Sequence, residues 1–364
     1  MYSFKPNDEQ KMLIEVVNRF ADQDLRPVAR EAEEGDDFSA NLIEKGWQLG
    51  VLQASIPEEY GGFGERSAVT GVLAVEEMAW GDLAGTLAVM VPGLFAMPIL
   101  IAGSEEQKQK YLPGIAEANW QPYTAALIEP KFDFDPNELQ TAARLDGDEY
   151  IIDGQKVFVP YAHRAKKMLV YANLDGNTQG FIVDHDVEGL EVGERHKLLG
   201  IHALPNFPVT FSGVRVPAAN RLGGPEGHDF APILDATRVA MAAAAIGMSR
   251  AAFEYARDYA KEREAFGVKI AQKQAIAFML AEMATEIEAI RLLTWEAAWM
   301  LDKQKSEASK VCYLALTGAM DMAMMVTDRA VQVLGGHGYI REYPVEMWMR
   351  NGRGIATLAG LAVV

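Results

Sequence analysis

Residues 261–284 read KEREAFGVKIAQKQAIAFMLAEMA and open a long helical pattern. Its apolar residues recur at intervals of three and four: Ile276, Leu280, Met283, Ile287 and Ile290. Side chains at that spacing lie on one face of a helix and pack against neighbouring helices. We therefore predict three or four long helices in the C-terminal part of the chain.

The N-terminal part also has a helical pattern. Asn7 and Gln10 have the spacing of a capping box, which predicts a helix that starts here and runs through Phe20. Turn-rich segments separate further predicted helices at about residues 39–50, 66–79, 83–102 and 105–118.

Between the two helical parts the pattern changes to the alternation typical of strands. Residues 149–159 alternate around a predicted Asp153–Gly154 turn. Shorter strand-like runs follow at 167–172, 180–183 and 207–216. These patterns predict a small antiparallel β domain.

The predicted fold class is therefore α+β. The chain has 364 residues, a length that suggests two or three domains. We place an N-terminal helical domain at 1–120, a middle antiparallel β domain at 121–232 and a four-helix-type C-terminal domain at 233–364.

Composition and charge exclude several functions. Hydrophobic residues make up 49% and charged residues 23%, which is ordinary for a globular protein. The net charge of -17 repels phosphate backbones, so nucleic-acid binding is not expected. The histidines show no metal-ligand spacing, so no metal site is expected.

The chain is expected to be cytoplasmic, without a membrane span. Its start, MYSFKPNDEQ, has no apolar signal region, and the apolar stretch 83–102 is interrupted by Pro92, Gly93 and Pro98. The single cysteine, Cys312, lies in an apolar run and is interpreted as a small core residue.

Several segments carry a more specific signal: IPEEYGGFG at 56–64, ALIEP at 126–130, RLDGDEYIIDGQKVFV at 144–159, VRVPAANRLG at 214–223, residues 261–284 and AVQVLGGHGYIREYPVEMWMR at 330–350. In this order, over nearly the whole chain, they resemble the acyl-CoA dehydrogenase family. The resemblance implies that family's fold. In the family, FAD oxidises an acyl-CoA thioester to the 2,3-enoyl-CoA. A carboxylate takes the α-proton while the β-hydrogen leaves as hydride.

The resemblance also locates the family's catalytic base, which this chain lacks. Ala359 stands where the family has glutamate, and the alternative position, just before Arg238, holds Thr237. Neither residue accepts a proton in this role, so no catalytic residue is expected. Glu262 and Glu346 belong to segments that are structural in the family and are expected to be solvated or ion-paired. Arg238 is expected to contact substrate.

The family's contacts to a chain's own flavin are also missing. Hydroxyls usually come from a T-E-P-x-x-G-S-D segment and a W-I-T segment. This chain has Ile128 for the first threonine, Asp133-Phe134 for glycine-serine and Pro160 for the second threonine. Each change removes a hydrogen bond of about 1–2 kcal/mol to a polar ligand. Useful affinity for its own flavin is not expected.

Another set of family residues is present. In the family these residues reach across a subunit interface to the FAD of the neighbouring chain. An arginine can pair with the diphosphate, and glycines allow close backbone approach. Helix packing alone is the alternative reason for their presence. The set comprises Arg263, Phe266, Gln332, Gly335 and Gly336.

These residues lead to one hypothesis with two rivals. The chain is interpreted as one subunit of a heterotetrameric acyl-CoA dehydrogenase, inactive alone, that pairs with a homologous catalytic subunit. Related two-gene enzymes act on bulky or polar acyl-CoA substrates, such as steroid side chains and dicarboxylates, and electron-transfer flavoprotein is the expected acceptor. The rivals are a self-sufficient homo-oligomeric dehydrogenase with an unusual base and a non-enzymatic scaffold that binds acyl-CoA or a protein.

Overall fold

The N-terminal part is helical, as predicted. The computed structural model describes residues 4–116, 119–357, 360 and 362–364. The capping box is confirmed, because Asn7 Oδ1 accepts the Gln10 amide at 2.8 Å and Gln10 Oε1 accepts the Asn7 amide at 2.9 Å. The helices are α1 (Asp8–Phe20), α2 (Ala29–Glu34), α3 (Ala40–Trp47), α4 (Ala68–Gly81), α5 (Leu83–Met90), α6 (Gly93–Ala102) and α7 (Glu105–Ala116).

The predicted helix at 83–102 is two helices. Helices α5 and α6 meet at a bend of 53°, where Val91 and Pro92 separate them. Proline lacks the amide that would continue the hydrogen-bond ladder, so the first helix ends before it. Asp82 starts α5 by accepting the Gly85 amide at 2.8 Å.

The middle part is one seven-stranded sheet. Its pairs are mostly antiparallel, as predicted, but β4 pairs in parallel with β1 and with β2. The strands are β1 (Thr124–Ala126), β2 (Ala142–Asp146), β3 (Glu149–Pro160), β4 (Lys167–Leu174), β5 (Asn177–Asp184), β6 (Leu190–Val192) and β7 (Asn206–Pro217).

The predicted turn at Asp153–Gly154 is wrong. Strand β3 runs through both residues, with an irregular register between Ile152 and Gly154 against β7. A Cβ on Gly154 would lie 2.6 Å from the Thr141 Cα, so this glycine permits close backbone approach within the sheet. The chain reverses instead at Gly147, between β2 and β3, where φ is 68°.

The C-terminal part is a bundle around α8, which confirms the predicted helical domain. Helix α8 is long and apolar enough to cross a membrane. However, 83% of its most apolar 18-residue stretch is buried inside the protein. It is therefore the core helix of the bundle. The elements are α8 (Ala231–Glu262), β8 (Glu264–Ala265), β9 (Val268–Lys269), α9 (Gln274–Asp302), α10 (Ala308–Leu334) and α11 (Val345–Ile355).

The predicted apolar face of α9 packs inward. Met283 and Ile287 are buried, and Ile276, Leu280 and Ile290 are half-buried against the main core. The spacing of three and four residues therefore identified the contact face correctly. The domain boundaries at residues 120 and 232 stay predictions.

A half-buried histidine lies where the β domain meets α8. Burial, with a smaller effect of Arg221, lowers the pKa of His228 to about 4 from an ordinary value of 6.5. The unfolded chain therefore binds more protons than the folded chain between these pH values. We expect stability to rise with pH across this window and His228→Gln to remove that contribution, about 2 kcal/mol. Urea unfolding of both proteins at pH 4.5 and 7 measures it, and equal pH dependence would contradict it.

Candidate functional site

The two segments that correspond to the family's own-flavin contacts lie side by side. The amide of Val157 in β3 donates to the carbonyl of Ile128 at 2.8 Å. This bond holds the loop after β1 against the end of β3, next to Phe158 and Pro160. The segments that contain residues 128 and 160 are therefore adjacent at Val157.

A buried ion pair fixes this loop. Lys156 Nζ lies 2.8 Å from Glu129 Oε1 and donates to the Leu127 carbonyl at 3.0 Å. Glu129 also accepts the amides of Gln140 at 2.6 Å and Thr141 at 2.8 Å. Burial lowers the pKa of Lys156 to about 8. Burial acts against the Glu129 charge as well, but Lys156 and the two amides outweigh it and hold the pKa of Glu129 below its ordinary value. Both groups are charged at neutral pH.

The side chains at these positions offer a flavin few hydrogen-bond partners. Ile128 is buried and apolar, and Pro160 has neither hydroxyl nor amide hydrogen. Phe134 is half-buried against an apolar cluster, while Asp133 is exposed and 3.5 Å from Lys131. Positions 128, 134 and 160 thus present no hydrogen-bond donor side chain. These residues do not fit a flavin, and no reaction step is assigned to this site.

Two aromatic residues here have unusual backbone conformations. Phe158 has φ 54° and Tyr161 has φ 52°, values that are strained for bulky side chains. The Phe158 ring lies 4.8 Å from the His196 ring. Tyr161 is fully buried and donates to Asp37 Oδ1 at 2.9 Å. The role of Tyr161 could not be predicted from the sequence, because its partner Asp37 is distant in the chain.

The final residues lie against the same loop. Ala359 is outside the described residues. A Cβ on Gly360 would lie 2.9 Å from Leu127 Cδ2, and one on Gly71 of α4 would lie 2.7 Å from Val364 Cβ. The end of the described chain therefore packs beside the Ile128 loop and α4.

The carboxylate beside the second family position is paired. Thr237 Oγ1 donates to the Ile233 carbonyl of its own helix at 3.0 Å. The buried Asp235 accepts Arg238 at 2.9 Å and also accepts Ser309 Oγ. Arg238 also lies 5.3 Å from the Tyr313 ring centre. Both oxygens of this carboxylate are thus occupied.

Glu346 and Glu262 are ion-paired or exposed to solvent. Glu346 pairs with Arg30 at 2.5 Å and with Arg350 at 2.8 Å. Glu262 is exposed. Their solvated or ion-paired state agrees with the expectation from the sequence.

The residues that correspond to the family's cross-interface contacts meet at one end of the bundle. Arg263 directly follows α8, and its amide donates to the Tyr259 carbonyl at 2.8 Å. Tyr259 OH lies 2.6 Å from His337 Nδ1, which joins this end of α8 to the turn after α10. Gly335 and Gly336 lie in that turn, so both segments belong to one surface.

This surface is open. Arg263 and Gln332 are exposed, and their side chains have no hydrogen-bond or ion-pair partner within the described part of the chain. Phe266 is 95% exposed with φ 54°. A Cβ on Gly335 or Gly336 would meet nothing within 4 Å. An exposed guanidinium can pair with a diphosphate, and the contact of these residues with a neighbour's FAD stays a prediction.

The chain matches three family descriptions along its length. They are the acyl-CoA dehydrogenase N-terminal domain at 7–119, middle domain at 124–214 and C-terminal domain at 230–362. Among curated proteins, it is 36% identical over 354 residues to cyclohex-1-ene-1-carbonyl-CoA dehydrogenase of Syntrophus aciditrophicus (strain SB), covering 95% of this chain and 85% of that protein.

Solved structures agree. Butyryl-CoA dehydrogenase from Megasphaera elsdenii superposes with a TM-score of 0.88 and 32% identity over 97% of this chain and 95% of that one. A chain from work on the electron transferring flavoprotein of Acidaminococcus fermentans and flavin-based electron bifurcation also gives 0.88, with 35% identity over 97% of this chain and 94% of that one.

The order of a helical domain, a β domain and a helical bundle defines a three-domain α+β protein of the dehydrogenase type. With these matches, the chain belongs to the acyl-CoA dehydrogenase family. The family resemblance in the sequence is confirmed. Among the described residues, no group of three or more His, Cys, Asp and Glu side chains is placed to hold a metal ion.

Proposed function

We propose that this chain is the non-catalytic subunit of a heteromeric, FAD-dependent acyl-CoA dehydrogenase. It pairs with a homologous catalytic subunit in an α2β2 tetramer and completes the FAD site of that subunit. The substrate is an acyl-CoA thioester, and electrons pass to an electron-transfer flavoprotein. A bulky or polar acyl group follows from the two-gene enzymes that the sequence resembles.

One observation supports this proposal most directly. The family residues that contact a chain's own flavin are replaced here, whereas those that contact a neighbour's flavin are present. The positions that would serve the chain's own flavin carry apolar or acidic side chains, including Ile128 and Pro160. Arg263 and Gln332, which would serve a neighbour's flavin, are exposed and have no partner within the described residues. An unpaired guanidinium beside open glycines favours a diphosphate supplied by another subunit.

The chemistry of the reaction gives the two subunits different roles. FAD supplies hydride acceptance, and a carboxylate must take the α-proton at the same time. The partner is expected to supply that carboxylate, since this chain has Ala359 and Thr237 at the family positions. This chain contributes the charge and shape that hold the diphosphate end.

A self-sufficient dehydrogenase is the second candidate. It is favoured by the single-protein name of the relative that is 36% identical, which mentions no second subunit. It requires a base outside the two family positions and flavin binding without the usual hydroxyls.

Flavin content decides between the two candidates. The chain is purified alone and after co-expression with a homologous dehydrogenase that has the family glutamate, and the ratio of flavin absorbance to polypeptide is measured. We expect no flavin in the chain alone and one FAD for each pair of unlike polypeptides in the complex. One FAD per chain in the protein alone would overturn the heteromeric function. A complex without flavin would favour a scaffold.

A further inference from the structure

A groove lies between helices α1, α4, α8 and α9, away from the loop at Ile128. Its volume is about 630 Å³, within the range of roughly 300–1,000 Å³ typical of ligand sites. Helix α1 contributes Ile14 and Glu15, and α9 contributes Glu288 and Trp295. Neither flavin-related site described above includes these residues.

The arginines of the groove are already neutralised. Arg250 Nη1 lies 3.0 Å from Glu76 and 2.7 Å from Glu77, and its Nη2 lies 2.7 Å from Glu77. Arg291 Nε lies 2.8 Å from Glu76, which is 2% exposed. Arg257 pairs with Asp258 at 2.8 Å. Their positive charge is therefore offset within the chain.

The groove carries an excess of acidic charge, although the Arg257 side chain is 39% exposed. Five glutamates and three arginines line the groove, so negative charge is in excess. Glu15 is exposed, Glu288 is exposed and pairs with Arg291, and the Glu254 side chain is 33% exposed. The exposed carboxylates lie on α1, α8 and α9. A ligand in the groove thus meets carboxylates on several walls.

Apolar side chains lie between these carboxylates. Ile14, Phe253 and Trp295 are only half-buried, although each packs against the main core. Leu73 and Ile287 are buried beneath them. An apolar groove of this kind accepts the apolar face of a helix, and acidic walls favour basic residues beside that face.

We propose that this groove binds a basic amphipathic helix of a partner protein. A second copy of this chain fits less well, because its net charge of -17 brings like charges together. A small organic cation would satisfy the carboxylates but would leave most of the apolar surface uncovered.

The probe is a fluorescent helical peptide of about 18 residues, or roughly five turns, with leucines at i, i+3, i+4 and i+7 and lysines beside them. Fluorescence anisotropy measures its binding to the full chain. Ile14→Asp should weaken binding at least about 10-fold. Val16→Asp, on the same helix but outside the groove lining, should leave the affinity unchanged. Circular dichroism checks that both variants fold.

A charge-reversal pair separates the groove from the general acidity of the chain. Glu15→Lys with Glu288→Lys should weaken binding and reduce its dependence on salt. Circular dichroism checks that the chain still folds without the pair between Glu288 and Arg291. The matched control is Glu59→Lys with Glu188→Lys, both exposed and outside the groove. An equal loss of peptide affinity in the two double variants would overturn the proposal, because non-specific attraction would then explain the binding.

Three other results would also overturn the proposal. The first is equal binding of a peptide with glutamates in place of the lysines. The second is binding of spermidine without binding of the peptide, which indicates a small-cation site. The third is self-association of the chain that Ile14→Asp abolishes, since a second copy would then occupy the groove.

Discussion

Arg263→Ala is expected to lower the affinity of the heteromeric complex for FAD about 10- to 100-fold. A hydrogen bond to a charged group contributes about 1.5–3 kcal/mol, and each 1.4 kcal/mol is a factor of ten. Arg263 is exposed and has no side-chain partner within the described residues, so its loss should not unfold the chain. Titration of the flavin-depleted complex with FAD, followed by flavin fluorescence, measures the change.

Two variants control for charge and fold. Arg257→Ala removes another arginine near the end of the same helix, one that pairs with Asp258 at 2.8 Å, and should leave FAD affinity unchanged. Arg263→Lys keeps the charge but loses the planar pair of donors, so its affinity should be intermediate. Full FAD occupancy in Arg263→Ala would show that the cross-interface role is wrong. An equal loss of FAD affinity in Arg257→Ala would show that removal of any positive charge in this region weakens FAD binding.

Much of the fold could be predicted from local patterns. The capping box at Asn7 and the apolar face of α9 each depend on residues within a few turns, so spacing alone identified them. The prediction of a turn at Asp153–Gly154 failed because Asp-Gly is a common hairpin turn, whereas Thr141, just before strand β2, lies against Gly154. That contact cannot be seen from the local sequence.

The site could be predicted only in part. Residue types at Ile128 and Pro160 predict the loss of hydrogen bonds to a flavin, and that loss stays a prediction. The contact between Tyr161 and Asp37 joins residues far apart in the chain, and the exposure of Arg263 depends on how α8 ends. The acidic surface of the groove also depends on the tertiary structure, because Glu76 and Glu77 neutralise Arg250.

Lys156→Met should destabilise the protein by about 3–5 kcal/mol, because removal of one partner leaves the other as an uncompensated buried charge. Lys156 is fully buried, and its partner Glu129 is 3% exposed. The two backbone amides that Glu129 retains do not replace a full positive charge. Urea unfolding at pH 7, followed by circular dichroism, measures the loss.

A surface pair provides the matched control. Lys167 pairs with Asp184, whose side chain is 51% exposed, so Lys167→Met should cost less than about 1 kcal/mol. Adding Glu129→Leu to Lys156→Met should restore part of the stability, since the unpaired carboxylate is then gone. If Lys156→Met costs no more than Lys167→Met, the ion pair does not hold the loop at Ile128. Packing of the β3 end would then have to fix that loop by itself.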